Sequence, residues 1–183
     1  MKSVIVAFLA IGFGLAQPLH VKLDPNQTKI NFILGDVLHT IHGTFKLGDG
    51  DIWIDAATGK AGGRITVSAD TGDSGSRARD SRMDKSVLQT SKFPEITFAP
   101  DRIDGQLNEA GESTFHLHGL FGIHGATHDL TMIVKSHIEG NRVTANADFD
   151  VPYVKWGMKD PSTLFLRVDK MVRIEIAAAG KSE

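Results

Sequence analysis

Eight histidines among 183 residues are the groups best suited to chemistry. His116 and His118 alternate along one run, His124 shares their parity, His39 and His42 form a His-x-x-His pair, and His128 follows. Two imidazoles on one face of a strand lie about 7 Å apart, and a third ligand from elsewhere would complete a zinc site. His116, His118 and His124 are therefore the candidate ligands for a metal. Their parity also supports a plainer reading. Phe115, Leu117, Phe121 and Ile123 hold the alternate positions, so a sheet that buries those four turns the histidines outward as a hydrated face.

Covalent and nucleotide chemistry find less support. Cysteine is absent, which excludes disulfides, thiolate metal ligands, a cysteine nucleophile and a lipidated N-terminal cysteine. Ser68, Ser81 and Ser86 lie outside any Gly-x-Ser-x-Gly elbow, and no carboxylate pair is set apart by its surroundings. Gly62-Gly63 precedes an alternating run and opens no helix, so it reads as a turn rather than a phosphate loop. The expectation is a protein that is not an enzyme and takes no cofactor. Arg77, Arg79, Asp80, Arg82, Asp84 and Lys85 mix charge at close spacing, as a solvated helix with local ion pairs would. A sharper reading sets Arg79 and Arg82 at a cavity rim, facing a polar or anionic headgroup. The apolar face offers something else. Phe32, Leu34, Phe45, Ile54, Val67, Phe98, Phe115, Leu117, Phe121 and Phe149 would fill a packed core or line a tunnel for an apolar ligand.

The elements that must position these groups are strands. Val143, Ala145, Ala147, Phe149 and Val151 alternate with Thr144, Asn146, Asp148 and Asp150, the pattern of one buried and one wet face. Ile65 to Ala69, Phe115 to Ile123, Leu164 to Val168 and Val172 to Ile176 alternate likewise, and further strands are expected at 30–34, 38–47, 52–55, 96–103 and 130–138. Gly48-Asp49-Gly50, Ala57-Thr58-Gly59, Asp104-Gly105 and Glu139-Gly140-Asn141 read as short hairpin connections. Residues 76–91 break the rhythm; Asp80 could cap a short helix whose apolar side carries Met83, Val87 and Leu88. About eight antiparallel strands and one helical crossover result. Alternation alone allows either a sandwich or a closed barrel.

Twenty basic and twenty-two acidic side chains leave a formal charge of −2, so no basic field points to nucleic acid. Lys2 followed by the apolar run Val4–Ala16 reads as a signal peptide over residues 1–16, too short to span a bilayer. Residues 17–183 then form one exported domain, periplasmic or secreted and not membrane-spanning.

Several segments resemble a known family in both residues and order: Thr28-Lys29-Ile30-Asn31-Phe32, His42-Gly43-Thr44-Phe45, Arg79-Asp80, Lys92-Phe93-Pro94-Glu95-Ile96-Thr97-Phe98, and His118-Gly119-Leu120-Phe121-Gly122-Ile123-His124-Gly125. They are similar to the YceI-like polyisoprenoid-binding family, from about Val21 to Ile176. The resemblance implies a lipocalin-like antiparallel β-barrel whose apolar tunnel holds a polyprenyl or quinone chain. It makes the ten apolar residues above, together with Phe93, the tunnel candidates. It also sets Phe93, Pro94 and the preceding helix at the mouth, with Arg79, Asp80 and Arg82 near it. Gln27-Thr28 and Gly35-Asp36-Val37 depart from the family's His-Ser and Lys-His-Leu steps, so the tunnel transfers more directly than the headgroup. The implied function is an exported lipid binder. The alternatives are a metal protein built on the histidine face and a filled barrel that dimerises through exposed Trp53 or Phe165.

Overall fold

A computed structural model describes residues 17–36, 39–164 and 166–183. The expected signal segment 1–16 and Phe165, one of the two expected dimer contacts, lie outside the described residues. Among the described residues, alternation becomes nine antiparallel strands: β1 (Leu19–Leu23), β2 (Lys29–Gly35), β3 (Thr40–Asp55), β4 (Lys60–Asp73), β5 (Glu95–Gln106), β6 (Gly111–Ile123), β7 (Ala126–Glu139), β8 (Arg142–Val151) and β9 (Val172–Ser182). Hydrogen bonding runs in the order β3, β2, β9, β8, β7, β6, β5, β4, and a β3–β4 pairing returns the sheet to its start. The sheet is thus a closed barrel rather than a sandwich, and closure leaves no edge open. β1 and β2 share one stave. β1 pairs with the far half of β3 (Leu19↔Ile54) and the end of β9 (Leu23↔Gly180), whereas β2 pairs with the near half of β3 (Ile30↔Phe45) and with Ile176. Nine strands therefore build eight staves.

The turn expectations needed correction at three glycine sites. Gly48-Asp49-Gly50 is not a turn: β3 runs through it with a register shift between Leu47 and Asp49. Gly50 is buried where β1 crosses, and a Cβ there would stand 2.8 Å from the Leu23 side chain, so close packing requires the glycine. Gly62-Gly63 lies inside β4, where Gly63 takes φ +96 and a Cβ would collide with the Asp51 carbonyl oxygen. Asp104-Gly105 lies within β5, whose pairing continues to Gln106↔Thr114 before the turn at 107–110. Glycine thus marks bulges and close approaches here as often as turns. Nor do Leu164, Leu166 and Val168 lie in a strand: Leu164 is 91% exposed, and Val168 makes one isolated bridge, to Asp36. Their alternation belongs to a surface strap.

The up-and-down path puts the turns 56–59, 107–110 and 140–141 at one end of the barrel, and both long connections, together with the tight β6–β7 turn, at the other. One long connection, 74–94, contains α1 (Arg77–Arg82) and a π-helical turn over Met83–Leu88. Met83, Val87 and Leu88 pack against the core, as expected. Ser76 holds the N-cap position, so Asp80 is inside the helix rather than its cap. The second connection, 152–171, straps the same end. Tyr153 and Met158 are buried there, the Tyr153 hydroxyl donates to the Asp169 carbonyl at 2.7 Å, and the Asp169 N–H donates to Gly35 of β2 at 2.9 Å. Among the described residues, no helix is long and apolar enough to cross a membrane.

Candidate functional site

The inward wall of the barrel is the natural place for an apolar ligand. Buried apolar side chains fall into two clusters. The larger includes Phe98, Phe115, Leu117, Phe121, Met132 and Phe149; the smaller, toward the short turns, holds Val21, Leu23, Ile30, Leu47, Ile138 and Val143. Phe45, Ile65, Ile174 and Ile176 pack against both, yet each stays only half-buried. Along β9 the inward positions Val172, Ile174, Ile176 and Ala178 are all half-buried, and so are Ala145 and Ala147 beside them on β8 (Ala147↔Ile176, Ala145↔Ala178). Inward side chains in a closed barrel stay accessible only where the interior is not fully packed. The small residues of β8 widen that region.

Most of the sequence-derived tunnel candidates face this interior. Phe32, Ile54, Phe98, Phe115, Leu117, Phe121 and Phe149 are buried. Leu34 and Phe45 are half-buried against the larger cluster, and Val67 against the smaller. Phe32 and Phe45 meet with ring centroids 5.4 Å apart. Phe93 stands apart from the other ten. Its ring lies 4.7 Å from that of His124 and against Gly125, which puts it on the β6–β7 hairpin at the strap end.

The charged candidates are occupied locally. Asp80 accepts from both the N–H and the hydroxyl of Ser74, and Arg79 Nε donates to the Ser74 hydroxyl at 2.8 Å while its Nη2 donates to the Ser74 carbonyl at 2.9 Å. Together they clamp the turn that leads from β4 into α1. Arg82 is exposed on the same helix.

The histidines do not converge. Among the described residues, no three His, Cys, Asp or Glu side chains are grouped to hold a metal. His116 is exposed opposite Asp104. His118 places Nδ1 2.7 Å from Asp101 and Nε2 3.7 Å from Asp129. His124 turns to Phe93. Odd-numbered β6 residues point inward, so His116 and His118 face out, and the hairpin takes His124 off their row. Trp53, expected as an exposed dimer contact, is half-buried, with its indole over Gly62.

One group at the strap end was not anticipated. His128, expected in a turn, is the third residue of β7 and shares the inward parity of Leu130, Met132 and Val134. Its ring stacks on Trp156 with centroids 3.9 Å apart and planes within 5°. Trp156 meets Phe121 at 5.9 Å, and Phe121 meets Phe149 at 5.6 Å. These rings cap the interior. Tyr153 joins the strap nearby, where burial first, then Asp160 and Asp169, push its phenol up to about 12. Counting β7 parity back from Leu130 would have found His128; nothing local marked Trp156 as its partner.

Residues 21–179 match the family model described as the YceI-like domain. The chain belongs to the YceI-like family. Solved structures give the YceI-like barrel fold again at low identity. Burkholderia cenocepacia BcnA matches with TM-score 0.69 at 14% identity, over 86% of this chain and 98% of its own. A polyisoprenoid binding domain from Saccharophagus degradans, described as implicated in plant cell wall breakdown, matches with TM-score 0.69 at 12% identity, over 89% and 98%. The Campylobacter jejuni YCEI protein matches with TM-score 0.57 at 12% identity, over 100% and 99%. No curated protein matches the sequence.

Proposed function

We propose that this YceI-like protein is an exported lipid binder that sequesters or carries a long isoprenoid-type chain, polyprenyl or quinone, inside its barrel. The carrying observation is the half-buried apolar wall of β8 and β9, which lies between two clusters that are otherwise well packed. Family membership and the Saccharophagus degradans domain's described ligand support the same reading. The ligand's affinity comes from taking its hydrocarbon out of water, at about 25 cal/mol per Å². Tunnel width selects the chain, and a few polar groups at the strap end distinguish heads. Phe32, Leu34, Phe45, Ile54, Val67, Phe98, Phe115, Leu117, Phe121 and Phe149 line the tunnel, with Phe93 at its rim. Arg79 and Asp80 shape the mouth by holding Ser74. Export rests on the Lys2 and Val4–Ala16 pattern. No step of catalysis is involved.

Native mass spectrometry after gentle purification, followed by organic extraction, tests this. The expected result is a stoichiometric lipid adduct that extracts as an isoprenoid. A lipid-free protein that also refuses added polyprenyl and quinone ligands would sink the proposal.

A further inference from the structure

Three unusual facts meet at His128. It faces inward on β7, its Nε2 is fully buried without a hydrogen-bond partner, and its ring is fixed flat against Trp156. A buried polar atom without a partner is rare in a folded protein, because its lost hydration is not replaced. Stacking on Trp156 holds the ring in one plane, so the nitrogen has a defined direction. Phe121, which lies opposite His128 in register, and Phe149 beyond it surround the site with hydrocarbon.

We infer that His128 Nε2 is the headgroup reader of the barrel, hydrogen-bonding a neutral oxygen at the end of the bound chain, a carbonyl or a hydroxyl. This assignment rests on the lipid-binding reading above and adds the class of head that is recognised. A neutral imidazole carries one donor and one acceptor nitrogen, and the tautomer decides which is which. One nitrogen can therefore donate to a quinone carbonyl or accept from a quinol or prenol hydroxyl. A phosphate demands more. It needs charge neutralisation by Arg or Lys forks or several N–H donors, whereas the rings that gather at His128, those of Trp156, Phe121 and Phe149, are uncharged. Ser136 is the matched contrast. It too faces inward on β7 with an unpartnered hydroxyl, but eight residues away, toward the short-turn end that the smaller cluster fills.

The test uses delipidated protein titrated with one polyprenyl chain in four forms: hydrocarbon, alcohol, benzoquinone and monophosphate. The alcohol and quinone are expected to bind about tenfold more tightly than the hydrocarbon, as one net hydrogen bond supplies, and the phosphate no more tightly than the alcohol. His128→Phe keeps a flat ring on Trp156, and there the preference is expected to collapse while hydrocarbon binding holds. His128→Gln, which regains a donor and an acceptor, should restore part of it, and Ser136→Ala should leave it unchanged. Four results overturn the assignment alone: a dominant preference for phosphate, hydrocarbon binding as tight as the rest, a preference that survives in His128→Phe, or one that disappears in Ser136→Ala. Refusal of all four forms by the unaltered protein overturns the lipid-binding reading, and this assignment with it.

Discussion

Tyr153 shows how much a single side chain can tie together. Its ring belongs to the buried core, its hydroxyl donates to Asp169, and Asp169 in turn donates its N–H to Gly35 at the end of β2. Burial holds the neutral phenol in the fold, so its pKa rises from 10.0 to about 12. The sign follows directly. The unfolded chain loses this proton first, so the contribution is whole below pH 10 and is lost as pH rises toward 12. Denaturant midpoints measured from pH 9 to 12 should fall across that window, and Tyr153→Phe should flatten the fall while costing about 1 kcal/mol at neutral pH for the lost bond. His118 illustrates the converse. Its partner-rich position, 14% exposed between Asp101 and Asp129, was legible only as a parity, because both carboxylates come from the strands on either side, and only the pairing register brings them to it.

At the level of elements, the 74–94 crossover is held by its first turn. Ser74 receives Arg79 and gives both its N–H and its hydroxyl to Asp80. Asp80→Ala leaves those two donors to water, and a cost of about 1–2 kcal/mol is expected for a half-exposed, charge-assisted pair. Thermal melts should register it as a lower Tm. If Arg79 and Asp80 act only by shaping the mouth, lipid affinity should change less than stability does; a loss of binding with Tm unchanged would show direct headgroup contact instead. Strand identities were readable from period 2 because each strand has one wet face. Strand ends were not. Gly50 and Gly63 look like turn glycines locally, and only the crossing of Leu23 and the approach of Asp51 show why they sit in mid-strand. Leu164, Leu166 and Val168 alternate without a partner strand, and pairing, not pattern, makes a strand.

For the whole molecule, the question is whether the interior is hollow or filled. Ala147 is the place to ask it, since it lies half-buried on the inner wall beside Ile176. In a filled barrel, Ala147→Trp overpacks the core and costs about 1–3 kcal/mol. In a hollow one, the indole occupies ligand space. The expected outcome is a Tm close to that of the parent in the lipid-free state, together with loss of lipid uptake by native mass spectrometry. A large drop in Tm would mean a packed interior. Bound lipid should also raise the Tm of the parent protein by mass action and leave Ala147→Trp unmoved.

Taken by itself, the chain determined its all-β class, its helical crossover, the inward set of apolar residues and its family, since each depends on local pattern or on motif residues in order. Only the tertiary structure decided barrel over sandwich, because the deciding bonds join β9 to β1 and β2, the opposite ends of the path. Only it dispersed the three histidines, and only it laid Trp156 of the strap on His128 of β7. Those are contacts between segments far apart in the chain, and they exist only when closure of the sheet brings the two ends of the path around one interior.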